Sequence, residues 1–296
     1  MSVTTAPSSP LQDTSWKART KSVARSWTLA TSRVRPLPEV LIIGAQRCGT
    51  TSLYRYLSEH PQFAPATLGT KGVHFFDNRY DRGLGWYRAH FPTTITRRRF
   101  RAVHGADMIT GEGSPYYLFH PHVPYRIAED LPEAKLIVML RDPVERAYSQ
   151  WQHELSRGFE HLDRFEDAVD AEAGRLAGEV PRMNADPGYR SSAHQHWSYL
   201  ARGRYADQLE VYRELFPPAQ LLVIKAEDFF SDPESEYLRV ERFLGLAEHH
   251  LAAYEKHNGH KRAPMDPATR ARLVEHFADS NRRLVEMLGP GFTWEP

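Results

Sequence analysis

The stretch Val40-Leu41-Ile42-Ile43-Gly44-Ala45-Gln46-Arg47-Cys48-Gly49-Thr50-Thr51-Ser52 decides the fold. Its first five residues form a continuous, partly β-branched apolar run, which reads as a strand buried on both faces of a parallel sheet. Gly44 to Gly49 is a tight loop. Thr50 to His60 reads as a helix with Leu53, Tyr56 and Leu57 on one face and Pro61 as its stop. Strand, glycine loop and helix together make the first unit of an α/β fold.

The same alternation continues along the chain. Lys135–Leu140 is a second buried strand, Gln220–Ile224 a third, and Ile109–Gly111 a weaker fourth. After the second strand, Asp142 suits a helix cap, Pro143 the first helical position and Glu145 the reciprocal position of a capping box. That helix is predicted to run to about Arg157. Further helices are predicted over His122–Asp130, Phe165–Leu176, Arg204–Leu215, Glu234–Leu244 and Ala268–Leu288. Glu179–Ser192, with two prolines and a glycine, reads as a mobile loop. The expected architecture is α/β: a single three-layer, P-loop-like domain with a central parallel sheet flanked by helices. Residues 38–296 form that domain, and residues 1–37 a basic, flexible N-terminal segment.

Composition excludes several functions. The 38 Lys and Arg face 37 Asp and Glu, so the chain lacks the basic excess of a dedicated nucleic-acid binder. A single cysteine, Cys48, permits no intrachain disulfide and suits a reducing compartment, so the expected location is cytoplasmic. No apolar run is long enough for a membrane span. The first 38 residues hold six basic residues against Asp13, and Trp16, Val23, Trp27 and Leu29 suggest a short amphipathic helix. A weak membrane-surface contact through that segment is one expectation; a solvated tail is the other. His120/His122, His194/His196 and His249/His250 lack the accompanying spacing of a metal site, so no metal is expected.

The loop carries the chemistry. Its glycines let backbone approach an anion, and the following helix N-terminus points N–H groups at it. Arg47 adds a fixed charge, and Thr50, Thr51 and Ser52 add hydroxyls. It is not a Walker A loop: Thr50 stands in the lysine position and the basic residue precedes the second glycine. That argues against a P-loop kinase of a small metabolite, the runner-up class. Arg141 at a strand end, with Ser149 about two turns into the next helix, suits a second phosphate.

These motifs resemble a known family. GAQRCGTTSL and LRDPVERAYS look like the two signatures by which sulfotransferases bind 3′-phosphoadenosine 5′-phosphosulfate (PAPS). Lys71-Gly72-Val73-His74-Phe75-Phe76-Asp77, Gly83 to Tyr87 and Gly111 to Tyr116 are similar to segments of heparan sulfate N- and 3-O-sulfotransferase domains and their bacterial relatives. The resemblance implies that Arg47, Cys48, Gly49, Thr50, Thr51 and Ser52 cradle the 5′-phosphosulfate, and that Arg141 and Ser149 hold the 3′-phosphate. It implies that His260, Lys261 and Arg262 close over the cofactor, which leaves as 3′-phosphoadenosine 5′-phosphate. Arg47 matches the family's loop lysine, and His153 a histidine near the reaction centre of the N-sulfotransferase branch. The acceptor is expected to be a glycan or small molecule.

The chain also departs from the family. Gly72 stands where a glutamate general base is frequent, and Gly113 where the 3-O branch has a second lysine. Paired cysteines near the C-terminus are absent. His74 is therefore the first candidate for the base, with Glu112 and His153 as alternatives. Lys71 is expected to orient acceptor or sulfuryl oxygens. A PAPS-binding protein that has lost its base is the remaining alternative.

Overall fold

The computed structural model describes residues 27–66, 71–255 and 264–294. Five parallel strands form one sheet: β1 (Val40–Gly44), β2 (Phe63–Pro65), β3 (Ile109–Gly113), β4 (Lys135–Leu140) and β5 (Leu221–Lys225). Their spatial order is β2-β3-β1-β4-β5. β1 is the centre, with Leu41 opposite Glu112 on one side and Leu136 on the other. All of β1 is buried, as is β4 after Lys135, which explains why both read as uninterrupted apolar runs. Helices cover the sheet, and Tyr205–Leu215 packs on the long Pro267–Leu288 helix.

Where β1 ends, the chain has β3 on one hand and β4 on the other. The order of connections changes side there, and the crevice outside such a point is where α/β sheets bind ligands. The helix Thr50–Glu59 starts at this crevice behind Gly49, whose φ of 92° is left-handed and suits glycine.

Several expectations need correction. β2 was not expected; it is a three-residue edge strand ending in Pro65, with Phe63 opposite Ile109. β3 extends two residues further, to Gly113. Glu179–Ser192 is not a loop throughout, because Glu179–Ala185 is helical. Pro181 sits in its first turn, where no intrahelical N–H bond is lost. The Glu179 carboxylate accepts from Tyr189 (2.8 Å), Arg182 (3.1 Å) and Ser191, which tie the helix to the segment after it.

Asp142 does cap the Pro143–Ser156 helix, accepting from Val144 (2.8 Å) and Glu145 (3.4 Å). The reciprocal half of the box is filled differently: the Asp142 N–H donates to Glu227 Oε1 at 3.0 Å, while Glu145 turns to Arg141 and Arg270. In the N-terminal region, Trp16 and Val23 lie outside the described residues. Trp27–Ala30 is helical, Trp27 sits under the Arg35 guanidinium at 5.0 Å, and the buried Arg35 donates to the Phe91 carbonyl. Among the described residues, no helix is long and apolar enough to cross a membrane.

Candidate active site

The Thr50–Glu59 helix begins without a side-chain cap. The first N–H groups of a helix have no carbonyl inside it to bond, so an uncapped end favours an anion. Two cations converge here. Lys71 Nζ donates to Thr50 Oγ1 (2.6 Å) and Thr51 Oγ1 (3.2 Å). Arg47, held at a left-handed φ of 71°, donates through Nε to Ser149 Oγ at 3.0 Å. Burial pushes the Lys71 ammonium down to about 7; Arg47 pushes the same way, and Glu112 opposes.

Cys48 turns its side chain away from this end. It is fully buried, its Sγ lies 3.9 Å from the Tyr205 hydroxyl, and burial raises the thiol to about 11. Only its backbone is left to serve a ligand. Thr50 and Ser52 are buried at the helix start.

On the β3 side, Lys71 to Phe76 is stapled to the strand end. The Gly113 N–H donates to Lys71 O (2.9 Å), the Val73 N–H to Glu112 Oε2 (2.8 Å), and the His74 N–H to Ser114 Oγ (3.0 Å). Glu112 is buried and also accepts from Ser114 Oγ (2.6 Å), Tyr117 OH (2.7 Å) and Tyr87 OH (3.1 Å). Burial raises its carboxyl, against the pull of these donors. Its geometry is that of an anchor beneath the 71–76 turn.

That turn fixes His74. Its φ of 54° is left-handed, a strained position for a residue with a side chain. Nδ1 lies 2.7 Å from Asp77 Oδ2. With the proton on Nδ1 facing the carboxylate, Nε2 is the acceptor nitrogen. Burial disfavours the imidazolium, but the hydrogen bond and charge of Asp77, with Glu112 behind, outweigh it and leave the His74 pKa raised.

Gly72 is enforced by this packing. A Cβ there would stand 2.8 Å from both Gly113 O and Ser114 Oγ, and 3.2 Å from His74 Nε2. A Cβ on Gly113 would stand 3.0 Å from Lys71 Cε. The two departures from the family pattern thus belong to one arrangement. Lys71 runs across the place of the second lysine, and His74 Nε2 borders the place of the glutamate.

The β4 side holds a constellation that sequence reading missed. His196 Nδ1 lies 2.9 Å from Glu154 Oε2, and Gln46 of the loop donates to Glu154 Oε1 at 3.4 Å. Glu154 is fully buried, and the Phe159 ring stacks on His196 at 4.0 Å. His153 is partly exposed; burial lowers its pKa, and Arg47, Arg157 and His196 add to the effect. Each adjacent histidine of the 194/196 pair has its own partner, since His194 Nδ1 meets the Tyr116 hydroxyl at 2.7 Å. The only signal for the Glu154–His196 pair in the sequence is a glutamate beside His153, which names no partner.

Arg141 reaches Glu145 at 3.4 Å, and Ser149 is engaged by Arg47, so both second-phosphate candidates flank the loop with other partners. Arg270 binds Glu145 as well as Asp142 (3.2 Å), so Arg141 can leave Glu145 without orphaning it. His260, Lys261 and Arg262 lie outside the described residues. Glu255, just before them, accepts through its carbonyl from Tyr56 of the Thr50–Glu59 helix at 2.9 Å.

Known proteins resemble this chain in sequence and fold. Residues 37–270 match the family model described as a sulfotransferase domain. The chain is 30% identical to heparan sulfate glucosamine 3-O-sulfotransferase 6 of Homo sapiens, over 88% of this chain and 74% of that protein. It is 26% identical to the membrane-associated sulfotransferase kil1 of Dictyostelium discoideum, over 88% of this chain and 67% of that one. Among solved structures, the sulfotransferase from Alicyclobacillus acidocaldarius aligns with a TM-score of 0.62 and 30% identity, covering 86% of this chain and 96% of that one.

Proposed function

This chain belongs to the sulfotransferase domain family, and we propose that it transfers a sulfuryl group from PAPS to a hydroxyl (or amine) of a carbohydrate, glycolipid or small natural-product acceptor. The observation that carries this reading is the convergence of Lys71 and Arg47 on an uncapped helix N-terminus. Two cations, hydroxyls and free N–H groups form a donor set for an anionic group, and PAPS supplies the reactive sulfuryl group at such a site.

The chain's own residues then divide the work. Arg47 and the Gly49–Thr51 backbone hold the phosphate end and stabilise negative charge as it develops there. Lys71, carried on the Thr50 and Thr51 hydroxyls, orients oxygens beside it. Arg141, freed from Glu145, and Ser149 hold the 3′-phosphate; His260, Lys261 and Arg262 close over the cofactor. His74 Nε2 takes the acceptor proton, while Asp77 keeps Nδ1 protonated and the ring in place. Glu112 holds the turn that presents His74. His153 lines the other flank beside Arg47. The lone thiol, buried in the core, fits a reducing, cytoplasmic setting.

Calorimetric titration with 3′-phosphoadenosine 5′-phosphate tests the donor site; absence of saturable heat would sink it. Mass spectrometry of a metabolite extract incubated with protein and PAPS tests transfer, by products heavier by one SO₃. Saturable binding without any such product across a broad acceptor panel would instead leave a binding protein.

A further inference from the structure

The helix Thr94–His104 buries none of its residues. The face toward the domain carries Arg97 and Arg101 beside the half-buried Phe100. Arg97 pairs with Glu39 at 2.6 Å and Arg101 with Asp107 at 3.4 Å. Thr94 Oγ1 donates to the Val34 carbonyl at 2.9 Å. At about 100° per residue, the face turned outward then carries Arg98, Ala102, Ile95, Arg99 and Val103. Ile95 is 72% exposed and Val103 68%, more than any other large apolar side chain among the described residues. Arg98 and Arg99 have no hydrogen-bond or ion-pair partner among the described residues.

The preceding segment extends the patch. Trp27, Leu29 and Val34 are 58%, 40% and 49% exposed. They join the helix through the Thr94–Val34 bond and through Arg35, which lies over Trp27 and binds Phe91. Among the described residues, five of the nine well-exposed large apolar side chains therefore share one surface. Single exposed apolar residues are ordinary; a cluster interleaved with unpaired arginines is not. Neither Trp27–Pro38 nor Thr94–His104 contains an acidic residue.

Charge narrows the occupant. A second copy seated face to face would oppose arginines to arginines. Residues 1–26 carry Lys17, Arg19, Lys21 and Arg25 against Asp13, so their charge repels rather than covers this face. The complement is anionic, and it must also accept protruding Ile, Val and Trp side chains. A lipid surface with acidic headgroups offers both. We propose that this face docks the protein onto an anionic membrane surface. Glu39 and Asp107 precede β1 and β3, whereas the donor loop follows β1, so the docking face and the active site lie at opposite ends of the strands. Docked, the active site opens toward water.

Co-sedimentation of the full chain with vesicles tests the proposal. Phosphatidylcholine vesicles should leave the protein in solution, and vesicles with about a third phosphatidylglycerol should bind it, less so as salt rises. Arg98→Ala with Arg99→Ala should lower partitioning about 25-fold, at about fivefold per arginine. Ile95→Ser with Val103→Ser should also weaken it, and Val274→Ser, an exposed apolar site elsewhere, should not. Calorimetry with 3′-phosphoadenosine 5′-phosphate should be unchanged in all of them, which controls for folding. Equal binding to neutral and anionic vesicles would overturn the assignment. So would wild-type binding by the helix variants, which would place any contact in residues 1–26. Capture by immobilised polyglutamate, insensitive to the Ile95 and Val103 changes, would point to an acidic protein partner and overturn the lipid assignment too.

Discussion

Each side of β1 supplies an imidazole resting on a carboxylate, and the two pairs are built differently. His74 and Asp77 are neighbours on one turn, and the imidazole sits at a left-handed φ over a stapled loop. His196 and Glu154 come from segments 42 residues apart, and their carboxylate also grips the loop through Gln46. The first pair spends backbone strain to place one nitrogen. The second spends burial to brace the loop itself. In the proposed mechanism, proton transfer falls to the first pair, and the second braces the loop through Gln46.

The largest effect should come from the loop arginine between the two flanks. Arg47→Ala is expected to lower turnover about 10³-fold, the loss of a key charge-stabilising donor; full activity in that variant would overturn the cradle. His74→Ala should cost roughly 100-fold or more in kcat, and a loss below about threefold would move the base elsewhere. His196→Gln should cost less, about tenfold, through a displaced loop. If its rate loss matched that of His74→Ala and also removed the acid limb of the pH profile, the two roles would be reversed.

The pH profile sharpens the contrast further. His74 accepts a proton only when neutral, and its pKa is raised, so the rate should climb with pH on a limb shifted upward from that of an ordinary histidine. Asp77→Asn removes the group that raises it and should move that limb to lower pH. Lys71 loses its charge as pH rises through about 7, so the KM for PAPS should increase above neutrality. Lys71→Arg should flatten that increase, the smallest change of the set, because arginine stays charged.

What could be read from the sequence follows from how local each feature is. β1, β4 and β5 announce themselves as apolar runs, and Asp142-Pro143 announces its helix because the cap bonds lie within three residues. β2 escaped because three residues ending in proline carry no periodicity. The Glu179–Ala185 helix escaped because its hold comes partly from Tyr189 and Ser191, outside it. Within the site, Arg47, Gly49 and Thr50 are legible in one loop. The Lys71 contact with Thr50 spans 21 residues and the Gln46–Glu154 contact 108, and no spacing rule reports either.

The crowding around Gly72 has a consequence for protein engineering. Installing at position 72 the glutamate that the family resemblance implies would not by itself supply a carboxylate base, since the Gly113 carbonyl and the Ser114 hydroxyl already occupy the entry to that position. Clearing Ser114 would at the same time remove a support of Glu112 and His74. A designer who wants a carboxylate base in this enzyme has to rebuild the whole end of β3, so conversion between the two catalytic styles takes concerted replacements rather than a point mutation.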